Sequence, residues 1–276
     1  MDQSHEASAG NSDGISDSAW QAAQDVAVRP ALSLAELEQA YSLVYRKYLE
    51  SGYCAPHPAG MRVSKYNILP ESLCVVGVLR GEVVATVTLV PDSPLGLPME
   101  SIYAREIACL RAAGRRPAEV SMLADRRRFG PRALPMLLRL LKVLFDYTRN
   151  VVKCTDLCIT VHPHHEQFYA RYLLFEQMGE VRKYPVVQDN PAVPERLNLE
   201  GIEQRCQGHP RLLKVFFDST TPPERFANRY TFTCDDIRLL FVERVPVLPS
   251  LGRQDVGYLQ SQYPKCDFQE MIRTAS

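Results

Sequence analysis

The sequence has no excess of charge of either sign. Its 32 Lys and Arg balance 32 Asp and Glu, so no whole-protein field favours nucleic acid, and any basic site must be a local patch. No apolar run is long enough to cross a bilayer, and the start Met1-Asp-Gln-Ser-His lacks a cationic leader and an apolar signal core. A cytoplasmic protein without a membrane span is therefore expected. The cysteines at 54, 74, 109, 154, 158, 206, 234 and 266 include no C-x-x-C pair, and several lie in apolar strand-like runs, which predicts reduced core thiols. Tryptophan occurs once, at Trp20, and neither Lys nor Arg precedes Arg29. With their polar composition and no sustained apolar period, residues 1–30 read as a disordered tail. What the chain has in quantity is apolar side chains, 46% of 276 residues, enough for a sizeable core.

Ser33-Leu-Ala-Glu36 is a capping box. It predicts a helix that carries Leu37, Ala40, Tyr41, Val44, Tyr45 and Tyr48 on one face and stops at Gly52. The β-branched runs Cys74–Leu79 and Glu82–Val90, joined by Arg80-Gly81, predict an antiparallel hairpin. Pro91-Asp-Ser-Pro-Leu-Gly-Leu-Pro98 forbids helix and central strand, so a turn or loop at the sheet edge is expected. After a mixed segment from Glu100 to Pro117, Glu119–Ala124 reads as a strand and Pro131 to about Arg149 as a helix. Asp156–His162 follows as a strand, then His164 or His165 to Leu173 as a helix. From about residue 208, prolines separate short apolar segments, which predicts short helices, one of them starting at Thr233-Cys-Asp-Asp236. The fold class is α+β or mixed α/β, a sheet covered by helices, with residues 31–205 as the core and 206–276 as a helical C-terminal extension packed on it.

Chemistry concentrates between Glu119 and Leu134. A carboxylate on a strand that runs into an arginine-rich turn and then a helix start can both deprotonate a nucleophile and hold an anionic acyl carrier. Glu119 could instead be a strand-edge carboxylate paired with Arg115, Arg116 or Arg126, and the arginines a solvated turn. Tyr169 fits a packing stripe with Phe168, Tyr172, Leu173 and Phe175. His162, His164 and His165 with Cys158 match no common zinc spacing, so no metal is expected. Their expected uses are hydrogen bonds that set the turn, or contact with a substrate carboxylate.

The element order, the turn Pro91–Pro98, the strand Glu119-Val-Ser121, and His162-Pro-His-His165 leading into Phe168-Tyr169 and Phe175-Glu176 resemble the GNAT superfamily of acyltransferases. More narrowly they resemble the long-chain N-acyl amino acid synthases of the FeeM type, over most of residues 34–200, with the acyl-homoserine-lactone synthases as more distant relatives. The resemblance implies a splayed, mostly antiparallel sheet flanked by helices, whose strands around Glu119 and Ile159 part to admit a pantetheine arm. It also implies transfer of a medium or long fatty acyl group from an acyl carrier protein thioester to the amino group of an amino acid, with no permanently bound cofactor and acyl-phosphopantetheine or acyl-coenzyme A as co-substrate.

On this resemblance Glu119, Ser121 and Tyr169 are the candidate catalytic residues, Glu119 as base and Tyr169 as the acid for the leaving thiolate. A distorted strand after Glu119 would free a backbone N–H for the oxyanion. Met122, Leu123, Arg126, Arg127, Arg128, Phe129, Gly130 and Arg132 are expected at the donor, and His162 and His164 at the acceptor. Two departures bear on the donor and the product: the phosphate turn ends in Arg132 where many GNAT enzymes have a small residue, and Met122 stands where homoserine-lactone synthases have arginine. The first argues against a coenzyme A pyrophosphate site and the second against a homoserine lactone. An acyl-coenzyme A enzyme acting on another amine, or a noncatalytic module that binds acyl carriers or fatty acids, are the alternative readings.

Overall fold

A computed structural model describes residues 23–126 and 133–274. Trp20 and the donor candidates Arg127, Arg128, Phe129, Gly130 and Arg132 lie outside the described residues. The strands are β1 (Ala27–Pro30), β2 (Leu73–Leu79), β3 (Glu82–Pro91), β4 (Pro117–Asp125), β5 (Asp156–Val161), β6 (Glu176–Gln177), β7 (Arg182–Tyr184) and β8 (Asn190–Asn198). They form one sheet in the order β1-β2-β3-β4-β5-β8-β6, with β7 pairing β8. Every pairing is antiparallel except β4 with β5, in agreement with the expected fold class.

The first long helix, α1 (Leu34–Glu50), starts where its cap predicts: Ser33 Oγ accepts from the Glu36 amide at 3.2 Å. The other half of the capping box goes elsewhere, because the Glu36 carboxylate accepts from the Leu32 amide and from Arg29. Gly52, at φ +71°, follows the helix end. The β2–β3 hairpin turns at Arg80 and Gly81, both with positive φ, as a tight two-residue turn requires.

Three expectations are corrected. Residues 27–30 pair with β2 as β1, so order begins before residue 31. The segment after Pro98 is a helix, α2 (Glu100–Ala112), kinked at Tyr103. The turn Pro91–Pro98 leaves β3, a strand interior to the sheet, and not an edge.

Two further helices, α3 (Leu134–Tyr147) and α4 (Pro163–Leu173), cover one face with Leu137, Leu141, Leu144, Tyr169 and Leu173. The opposite face carries α1 and α2 through Leu37, Tyr41, Tyr103 and Ile107, joined by Leu97 of the turn before α2. Helical segments between Ile202 and Arg273 add Leu212 and Phe226 to the first layer, and Ile237, Phe241, Leu259 and Phe268 to the second. Two cysteines depart from the reduced state expected: Cys234 and Cys266 are joined as a disulfide, while Cys54, Cys74, Cys109, Cys154, Cys158 and Cys206 are free. Among the described residues no helix is long and apolar enough to cross a membrane.

Candidate active site

The site follows from one break in the sheet. β4 and β5 pair only at Pro117–Asp156, Ala118–Leu157 and Glu119–Cys158; beyond that point β4 runs to Asp125 and β5 to Val161 without pairing each other. β4 stays on β3, but with a bulge. Thr88 faces Ser121 and Thr86 faces Ala124, so an extra residue is accommodated around Met122 and Leu123, and Met122 takes φ +54°. A non-glycine residue in that region stores about 1–3 kcal/mol of strain, and a bulge bends the strand and re-aims its groups.

A cavity of about 1060 Å³ occupies the gap. Its walls come from both layers: Leu137, Leu141, Ile159, Tyr169 and Phe175 on the α3–α4 side, and Tyr48, Arg62, Tyr66, Glu119 and Tyr184 on the α1–α2 side. The cavity therefore passes through the sheet, apolar at one end and rich in phenols and charge at the other.

Glu119 sits at the fork, only 3% exposed. Oε2 accepts from the Met99 amide at 2.7 Å, and burial pushes the carboxyl up to about 8 against the pull of that bond. None of the three arginines proposed as partners reaches it. Arg115 pairs with Asp156 and Glu200 and Arg126 with Glu82, and no arginine, Arg116 included, is among the described groups that act on the Glu119 carboxyl. The Met99 amide is held in place from behind: Arg111 bonds Asp92 at 2.6 and 2.8 Å and Glu100 at 2.8 Å, while Glu100 accepts from the Leu97 amide at 2.6 Å. These bonds tie both ends of the Pro91–Pro98 turn to α2.

Ser121, Met122 and Leu123 line the cavity beside the fork, whereas Arg126 is not on its wall. Tyr169 is there, on the face opposite Glu119, and burial raises its phenol far above the ordinary value. Behind it Glu195, fully buried on β8, has no hydrogen-bond partner for either oxygen among the described residues, and burial lifts its carboxyl to about 8. His162 caps α4, accepting from the His164 amide at 3.2 Å, and lines the cavity together with His165. His164 does not line it; its ring stacks on His162 at 4.7 Å. Burial lowers both His162 and His165, leaving them neutral near pH 7. No group of three or more His, Cys, Asp or Glu among the described residues is placed to hold a metal ion. Cys158, opposite Glu119, is buried with its thiol pushed up, which keeps it from serving as a nucleophile.

Sequence reasoning missed Tyr48, Arg62, Tyr66, Met99 and Tyr184. Arg62 belongs to the loop after α1, where nothing in the spacing marks it. Tyr48 reads as a packing residue.

The family model of the N-acyl amino acid synthase FeeM matches residues 39–198. Among solved structures, the chain is similar to FeeM, an N-acyl amino acid synthase from uncultured soil microbes, at 24% identity and TM-score 0.57, over 65% of this chain and 93% of that one. The acyl-homoserine-lactone synthase LasI is similar at 15% identity and TM-score 0.52, over 71% and 97% of the two chains. BjaI, a CoA-dependent acyl-homoserine lactone synthase, is similar at 14% identity and TM-score 0.50, over 73% and 96%. No curated protein matches. The structural likenesses carry the GNAT-like fold, and the match over residues 39–198 carries the family: the chain belongs to the FeeM family of N-acyl amino acid synthases and is an N-acyltransferase.

Proposed function

We propose that this enzyme moves a medium or long fatty acyl group from an acyl carrier protein thioester to the amino group of an amino acid, by direct attack and with Glu119 as the base. The observation that carries the reading is Glu119 itself, buried at the fork, bonded to one backbone amide and, among the described residues, paired with no cation. A substrate ammonium must lose a proton before its nitrogen can attack. A carboxylate whose affinity for protons has risen to about 8 is closer to an amine than an ordinary glutamate is, so the transfer is less uphill.

The nitrogen then bonds to the thioester carbon, and the carbonyl electrons move to oxygen. β4 beyond Glu119 has lost β5 as a partner, and its bulge around Met122 and Leu123 faces the same cavity. Backbone N–H groups there are the candidates for holding that oxyanion, a contribution of about 3–4 kcal/mol in other enzymes. Collapse breaks the C–S bond; the thiolate takes a proton, with Tyr169 as the candidate donor, and the second proton shed by the acylated nitrogen as it becomes the amide restores the phenol, directly or through solvent. The proton lost by the amine stays on Glu119 until solvent removes it. Cys158 is buried and neutral, which fits a path without an acyl-enzyme.

The apolar end of the cavity suits the fatty chain. The carrier-protein donor rests on the arginine-rich sequence from Arg126 to Arg132, since guanidinium pairs well with phosphate and acidic surfaces. That reading goes with a cytoplasmic enzyme. The test is to incubate the purified enzyme with acyl carrier protein and acyl-coenzyme A thioesters of graded length and the twenty amino acids, with mass spectrometry of the products. N-acyl amino acids formed preferentially from carrier thioesters are expected. Preference for coenzyme A, or acylation of polyamines only, would replace the donor or acceptor named here.

A further inference from the structure

We infer that Arg62 is the receptor for the acceptor's carboxylate and the residue that restricts this enzyme to amines bearing one, an inference that rests on the amino acid acceptor proposed above. Arg62 lies on the phenol-rich wall of the cavity that holds Glu119. Its guanidinium stacks 4.5 Å above the Tyr48 ring, and one nitrogen donates to the Val186 carbonyl at 3.1 Å. Those two contacts fix the plane of the fork and leave other N–H donors unspent. Among the described residues it makes no ion pair.

The other basic groups on the wall are committed or neutral. Lys47 pairs with Glu50 at 2.8 Å, and His162 and His165 are held below their ordinary range. Arg62 is therefore the cavity's uncompensated cation among the described residues, held flat by an aromatic face, the form in which guanidinium takes a carboxylate through two parallel hydrogen bonds. Tyr48 links the two ends of the acceptor: its phenol lies within electrostatic reach of both Arg62 and Glu119. An amino acid seated with its carboxylate on Arg62 presents its ammonium toward Glu119. A polyamine in the same place meets a like charge. The role expected of the histidines, contact with that carboxylate, passes to Arg62.

The experiment compares each amino acid with its primary amide as acceptor, using one acyl carrier thioester, in the native enzyme and in Arg62→Met and Arg62→Lys. The native enzyme is expected to prefer the carboxylate form by about 100-fold in kcat/KM. Arg62→Met should bring that ratio to about one, mainly through KM, and Arg62→Lys should fall between. A ratio that survives in Arg62→Met, or a native enzyme indifferent to the carboxylate, overturns the inference while leaving acyl transfer intact. Titration calorimetry of the amino acids against both proteins, without donor, reads the same site independently of turnover. Binding lost in Arg62→Met upholds the assignment; equal binding, or none to the native protein, overturns it. Absence of product from every acceptor would instead remove the proposed reaction.

Discussion

The Met99 amide nitrogen lies 2.7 Å from Glu119 Oε2 and donates the one hydrogen bond that the carboxylate receives from the described residues. The bond fixes the carboxyl at the fork between β4 and β5 without neutralising it, as an arginine would. A base that must accept a proton from an amine is better served by a single neutral donor than by a cation, which would stabilise the ionised form and weaken its pull on protons.

Glu119→Gln keeps the shape and can still meet the Met99 N–H through its amide oxygen, but cannot take a proton. Its kcat is expected to fall about 10²- to 10⁴-fold with little change in melting temperature. Because the native carboxyl ionises near 8, kcat/KM for the native enzyme should rise with pH and level off above about 8. The variant should lack that limb. Steady-state rates between pH 6 and 9 check both statements.

Glu195 is expected to cost stability at neutral and alkaline pH. Its carboxyl is lifted from 4.5 to about 8 by burial, so the folded protein holds this proton more tightly than the unfolded chain does. The resulting stabilisation is complete below about 4.5 and is lost as pH rises through about 8. Glu195→Met removes the unpartnered oxygens and should raise stability at pH 8 by about 1–3 kcal/mol, with a smaller gain at pH 5. Urea unfolding of both proteins at the two pH values measures the difference.

Arg111→Met should loosen the turn that presents the Met99 amide, since Asp92 and Glu100 lose their shared partner. A stability loss of about 1–3 kcal/mol is expected, with roughly tenfold slower turnover, because misplacing the carboxyl slightly is enough to slow proton transfer. Faster hydrogen exchange at Met99 would show that the effect travels through the turn.

The Cys234–Cys266 disulfide spans a sequence separation of 32. In the chain-entropy view a loop of that size is worth on the order of 3–4 kcal/mol. Changing both cysteines to serine should lower the melting temperature by several degrees, and a reductant should do the same to the native protein but not to the double variant.

The sequence made α1, the β2–β3 hairpin, β4, β5 and α4 legible through local signals: a hydroxyl cap, apolar spacings of three and four, a turn glycine and β-branched runs. α2 was not legible, because it has no side-chain cap, bends at Tyr103, and spreads Arg105, Glu106 and Arg111 through a weakly apolar stretch. β1 is four residues long and exists because the β2 edge accepts it. At the site, the carboxylate at 119 could be named from its strand and its family. Arg62 and the Met99 amide could not, because they arrive from loops whose course is set by tertiary contacts such as those of Arg111. The choice between His164 and His165 turned on helix rotation: His162 Nδ1 caps the first turn of α4, and that rotation, unreadable from spacing, puts His165 against the cavity.

The bore through the sheet has a consequence for traffic. If head and tail arrive from opposite faces, neither blocks the other's doorway, and the two co-substrates need not queue. The joined amide, however, is then threaded like a bolt through a plate, with its polar head on one side and its greasy shank on the other. Discharge must then draw one of those ends back through the gap where β4 and β5 no longer pair, so release of the product is a step of its own, separate from the chemistry.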